Sequence, residues 1–299
     1  MKTIRFLLGS AVLLALHAST SFSQAQRTFV SGLGNDGNPC TRPAPCRTFQ
    51  TAINATAPGG EVIALDSDQY GSITIGTSIT VEAPLGVYAA AEPGIQVSAG
   101  PADTVVLRGL TVTRTNVLNG INFFSGGALH VESCTIRSTQ QSDNAAIDVV
   151  GGRKLYVNDS LLSDNLVGIV VGAESGTEFI SVYKTHFVGN SVGLWCIDAK
   201  CGISRSVISG STALAAGTFV PTAVSEINAE NCLLANGNGV DTNGQNGGTI
   251  TVRISNSTVT DGVTGLRQDS GTTVLSRGNN TIEGNVNNTV GTIGSYTAK

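Results

Sequence analysis

Between Val105 and Asn285 the apolar positions of the chain fall into rows that return about eight times. Three rows show the pattern plainly: Leu155-Tyr-Val-Asn-Asp-Ser-Leu-Leu162, Ile180-Ser-Val-Tyr-Lys-Thr-His-Phe187 and Ile227-Asn-Ala-Glu-Asn-Cys-Leu-Leu234. Taking the last apolar residue of each row as an anchor gives Val112, Ile136, Leu162, Phe187, Ile208, Leu234, Val259 and Ile282, spaced 21 to 26 residues apart. Seven positions before the anchors stand Val105, Leu129, Leu155, Ile180, Cys201, Ile227, Val252 and Leu275, and apolar residues again occupy most positions two further on. Apolar residues two apart point to strands, because successive strand side chains face opposite ways. Short strands recurring at a fixed period cannot bury an apolar face alone, so each unit must stack on its neighbours. The expected fold is all-β: a parallel β-helix in which like residues form ladders about 4.8 Å apart.

Around this repeat the chain divides readily. Residues 1–25 read as a secretory signal peptide, with Lys2 and Arg5, an apolar run from Phe6 to Leu16, and the small residues Ser23 and Ala25 at the cleavage site. Residues 26–60 form an N-terminal cap segment with one short helix over Thr48–Ala57, started by Thr48 and stopped at Pro58-Gly59-Gly60. Residues 61–103 supply less regular first coils, 104–285 the regular ones, and 286–299 a tail whose apolar residues are Val290, Ile293 and Tyr296. No later apolar run reaches membrane-spanning length, so the mature chain is expected to be secreted or periplasmic. Its formal net charge is −4, and −6 without Lys2 and Arg5; few aromatics and no basic run argue against a nucleic-acid partner.

In an exported chain thiols oxidise. Cys40 and Cys46 flank a five-residue loop and are expected to pair, since no second Cys or His pair lies at zinc-like spacing. Cys196 and Cys201 flank the Asp198-Ala199-Lys200 corner, where a disulfide and two inward thiols are both compatible with the spacing. Cys134 and Cys232 share one column four coils apart, too far to bridge, and are expected as buried free thiols. No cofactor and no metal ligand set is expected.

The line from Thr28 to Cys40, followed by Pro45-Cys46-Arg47-Thr48-Phe49, together with the rows above, resembles the bacterial secreted right-handed parallel β-helix repeat proteins of the pectate-lyase-like superfamily. The resemblance implies a right-handed coil and makes a polysaccharide the expected partner class. It does not fix an activity, because the superfamily contains lyases, hydrolases, esterases and adhesins. The Asn-Thr-Asp, Asp-Asp, His-Gly and Arg-Ile-Lys signatures of its polygalacturonases are absent; Arg253-Ile254-Ser255 comes nearest to the last. Asp148, Asp159, Asp164 and Asp241 fall on different columns and do not assemble the acidic calcium cluster of its pectate lyases.

Two outward faces carry chemistry. His130, Glu132, Tyr156, Asn158 and Tyr183, with Lys184 nearby, gather on three adjacent coils. His130, Glu132, Tyr156 and Lys184 are the acid/base candidates for cleaving an acidic polysaccharide, and Asn158 and Tyr183 the substrate-binding ones; an ordinary hydrated β-face is the alternative. If Ile121, Ile147, Ile169, Leu194, Val240 and Leu266 point inward, then Asn122, Asp148, Val170, Trp195, Asp241 and Arg267 point out, with Phe124, Val150 and Ile197 two residues further on. Trp195 and Phe124 are then candidates for stacking on a sugar ring, unless a loop covers them. A binding or structural role associated with carbohydrate is the leading expectation, and a polysaccharide lyase or glycoside hydrolase the alternative.

Overall fold

A computed structural model describes residues 24–114, 119–138, 144–172, 179–244 and 246–297. The expected signal peptide lies almost wholly outside the described residues. The chain winds as a right-handed parallel β-helix. One sheet has twelve strands; its central members are Ala128–Glu132, Lys154–Asn158, Phe179–Tyr183, Lys200–Ser204 and Val224–Glu230. The other has eighteen strands and bends, and His186–Ile197 and Val207–Gly217 run through the bend unbroken.

The register is the one the rows predict. Val105, Leu129, Leu155, Ile180, Cys201, Ile227 and Val252 stack in sequence. So do the anchors from Val112 to Ile282, and apart from Ile282 each is buried. In the last row the expected Leu275 gives way to Val274, which pairs with Val252 and is fully buried. An extra residue in the corner before Ile282, where Gly278 takes φ +84°, moves the strand by one position. That row therefore presents Leu275 to the side that faces solvent elsewhere.

The polar column beside the aliphatic ladders has a mechanical cause. Each strand of the twelve-stranded sheet from Ala128 to Ser255 ends in a corner residue with φ between 47° and 55°: Ser133, Asp159, Lys184, Arg205, Asn231 and Asn256. The next residue is Cys, Ser or Thr. Ser160, Thr185, Ser206 and Ser257 turn back to donate to the carbonyl two residues earlier. Ser160, Ser206 and Ser257 also accept the backbone N–H of the equivalent residue one coil before, Cys134, Thr185 and Cys232 respectively. Small donors are needed because the residue after each corner is buried and its backbone polar groups require partners.

A second column, Gly120, Ala146, Gly168, Gly193, Ala213, Gly239 and Gly265, puts a glycine or alanine directly before each inward residue of the bent sheet, as in Gly168-Ile169 and Gly193-Leu194. At the glycines of this column the backbone passes directly over the anchor side chain: a Cβ on Gly168 would meet the Phe187 ring at 2.5 Å, and one on Gly239 would meet Val259 at 2.3 Å.

Near the N-terminal end a helix spans Phe49–Ala55, with the Thr48 hydroxyl accepting from the Thr51 N–H. It ends two residues before the expected Ala57 because the strand Thr56–Ala64 begins there. Its buried face is Phe49, Ala52 and Ile53. At the other end, strands continue beyond Asn285, over Asn287–Val290 and Gly294–Ser295. Cys40 pairs with Cys46, and Cys196 with Cys201; Cys134 and Cys232 are free and buried. Burial pushes the Cys134 thiol up to about 12, so it packs as a small apolar group.

Candidate functional site

The outer face of the twelve-stranded sheet holds the acid/base candidates in the expected columns. His130 sits beside Tyr156, and Glu132 beside Asn158, with Tyr183 one coil further. The His130 and Tyr156 rings stack with centroids 4.6 Å apart and planes 16° from parallel. His130 Nδ1 lies 3.9 Å from Glu132 Oε1. Glu132 is also held from the other side: Arg108 Nε donates to Oε2 at 2.9 Å, while its Nη1 reaches Glu82 at 3.1 Å. The hydrogen bond to Glu132 is the largest of the effects that raise the Arg108 pKa. Lys184 stands elsewhere. Its Nζ leans over the Tyr183 ring, 5.3 Å from the centroid, on a coil about 10 Å along the axis from His130 at 4.8 Å per coil. His130, Glu132 and Tyr156 are thus brought together, and Lys184 is not.

The bent sheet carries a different constellation. Leu194, Leu214, Val240 and Leu266 point inward in register, so Trp195, Ala215, Asp241 and Arg267 follow one another on the outer face. Trp195 is 37% exposed. Ala215, the rung missing from the sequence-based stripe, is small and leaves open floor between the indole and the charged groups. The resulting cavity of about 280 Å³ is lined by Trp195, Thr212, Asp241, Asn243, Arg267 and Asp269 among others. Arg267 Nε lies 3.0 Å from Asp269 Oδ1 and 3.8 Å from Asp241 Oδ1. Burial raises the Asp241 pKa, with the Asp269 charge adding to the effect and Arg267 opposing it. Such a pocket offers a ring face beside a paired cation and two carboxylates.

Other expectations for this face change. Val170 pairs with Trp195, but Phe124, 42% exposed, is three coils away, about 14 Å along the axis. The two rings cannot form one platform. Ile197, expected to face outward, is buried, because the chain already turns there into the corner closed by the Cys196–Cys201 disulfide. Asp148 does face outward, where its carboxylate accepts from Asn119 Nδ2 at 2.8 Å. Asp241 and Arg267 were visible in the outward stripe. Asp269 and Asn243 were not, since both lie at or beyond strand ends, where alternation gives no signal.

No grouping of three or more His, Cys, Asp or Glu side chains suited to a metal ion occurs among the described residues. Nor is any described helix long and apolar enough to cross a membrane.

These features define a parallel β-helix with aromatic and charged groups on its outer faces. The structure is similar to that of pectate lyase Pel9A, with a TM-score of 0.66 over 92% of this chain and 78% of that one, at 17% identity; a likeness at that identity speaks to the fold. No known family matches the sequence. No curated protein matches it either.

Proposed function

We propose that this chain is an exported polysaccharide-binding protein that holds its ligand over the bent sheet at Trp195. The observation that carries the reading is the half-exposed indole opening onto the cavity walled by Asp241, Arg267, Asp269 and Asn243. Sugar rings present an apolar C–H face and a rim of hydroxyls, which suits an aromatic surface bordered by charged hydrogen-bonding groups. That a protein of similar fold is a pectate lyase makes polysaccharides the first class to test. Two disulfides and the basic-then-apolar start of the sequence support an oxidising location outside the cytoplasm.

The test is titration of the folded protein with a panel of neutral and acidic oligosaccharides. Trp195→Ala should weaken binding at least tenfold, about 1.4 kcal/mol; unchanged affinity sinks the proposal. The same panel, read for reducing ends or ultraviolet-absorbing product, tests the rival reading in which His130, Glu132, Tyr156 and Lys184 carry a lyase or hydrolase reaction. That reading requires product from the wild type and its loss in His130→Ala.

A further inference from the structure

The Trp195 cavity is unevenly charged. Among the described residues its lining holds two carboxylates, Asp241 and Asp269, and a single cation, Arg267, which leaves one negative charge in excess. Followed towards the N-terminal end, the same outward column runs from Trp195 through Val170 to Asp148. That stretch adds a third carboxylate and no cation.

The lone cation is already engaged by the protein. Arg267 Nε donates to Asp269 Oδ1 at 3.0 Å, and this hydrogen bond is the largest of the effects that raise the Arg267 pKa. Asp269 is held in place for it. Its backbone N–H donates to the Thr242 hydroxyl at 3.1 Å, which lies 2.8 Å from the Thr272 hydroxyl, and both threonines are buried. Asp241 is served differently. Its Oδ1 is 3.8 Å from Arg267 Nε, beyond hydrogen-bond range, and the one proton on that nitrogen is committed to Asp269. The Asp241 carboxylate therefore lines the cavity half-buried and beside a cation, yet without a side-chain donor among the described residues.

We propose that this cavity selects an amino sugar, whose ammonium group donates to Asp241. An ammonium carries three donors and one positive charge, so it supplies both what the Asp241 carboxylate lacks and what the cavity as a whole lacks. A sugar hydroxyl supplies a donor without the charge. A uronic acid supplies neither: its carboxylate sets acceptor against acceptor in a cavity already in negative excess, and Arg267 Nε can turn to it only by leaving Asp269. That the ligand is a saccharide rests on the reading given above; its charge is argued from Asp241, Asp269 and Arg267.

The experiment is calorimetric titration of the full chain, Asp241→Asn and Trp195→Ala at about pH 6, where an ordinary carboxyl is ionised and an amine protonated. The probes are a glucosamine tetrasaccharide, its N-acetylated form and a galacturonic-acid tetrasaccharide. The amine probe should bind the wild type at least tenfold more tightly than either of the others, as expected for one charge-assisted hydrogen bond, and its affinity should fall as salt is added. Asp241→Asn keeps the shape of the side chain and removes its charge, and its melting curve checks that it folds. It should erase the preference for the amine and leave the affinity for the N-acetylated probe as it was. The proposal is overturned if the uronic-acid probe binds the wild type as tightly as the amine, if Asp241→Asn retains the tenfold preference, or if Asp241→Asn loses all probes together. Binding that depends on Trp195 but shows no preference for the amine overturns this inference alone. A preference that Asp241→Asn erases and Trp195→Ala leaves untouched overturns the stacking reading alone, and failure of every probe to bind overturns both.

Discussion

Replacing Gly193 by Ala tests the close approach between the glycine column and the anchor ladder. A Cβ at position 193 would stand 2.4 Å from Ile208 Cγ2 and 2.6 Å from the Ala213 carbonyl oxygen. Ordinary contact is about 3.5–4.0 Å between carbons, so one methyl is about 1 Å too close on two sides. Ile208 could rotate or shift. The carbonyl cannot, because its strand is fixed by pairings on both sides. Overpacking of this kind costs roughly 1–3 kcal/mol, against a gain of about 0.4–1 kcal/mol from the stiffer unfolded chain. The net expectation is a loss of about 1–2 kcal/mol. Adding Ile208→Ala should not restore stability, since the carbonyl contact persists and a cavity is added at the anchor. Equilibrium unfolding in guanidinium chloride measures the change, followed by the fluorescence of the single tryptophan, Trp195, two residues away. A Gly193→Ala protein as stable as the wild type would refute the close approach at this rung, where the neighbouring rung at Ala213 already carries a Cβ.

Two other perturbations follow from the same structure. Cys196→Ser/Cys201→Ser removes a short cross-link, and loop-closure entropy puts the loss at about 2 kcal/mol; equal unfolding midpoints for the oxidised wild type and the double variant would contradict this. Asp148 is half-buried, and desolvation holds its carboxyl above the usual value of 3.8, with the Asn119 hydrogen bond opposing. A raised folded-state pKa means that the unfolded chain releases this proton first. Its destabilising effect is therefore absent below pH 3.8 and grows as pH rises through the folded value. Asp148→Asn should accordingly be more stable than wild type at pH 7 and indistinguishable from it near pH 3; a constant difference across that range would exclude the assignment.

The coil was legible in the sequence because the strand period of two and the rung spacing are both backbone properties. Leu155, Ile180 and Ile227 therefore announce their stacking without any knowledge of distant contacts. What escaped depends on corners. The one-residue slip from Leu275 to Val274 arises in a turn whose extra residue leaves no periodic trace. Leu214 was missing from the sequence-based stripe, although Ile147, likewise preceded by an alanine, was in it. Arg205 was similarly invisible as a neighbour of the Tyr183 ring, since corner residues belong to neither face of a strand. The Trp195 pocket was half visible: alternation exposes Trp195, Asp241 and Arg267, but only the folded chain brings Asp269 against the guanidinium.

The stacked register also bears on how such a chain can vary over generations. Each coil meets the next through matching ladders and an equivalent corner, so the surfaces above and below any one coil are nearly interchangeable. Excising or duplicating the segment between two equivalent corners, for example through unequal recombination, would join faces that already fit. Length is thereby decoupled from foldability, and a binding face can be extended or shortened by whole rungs while its neighbours keep their places.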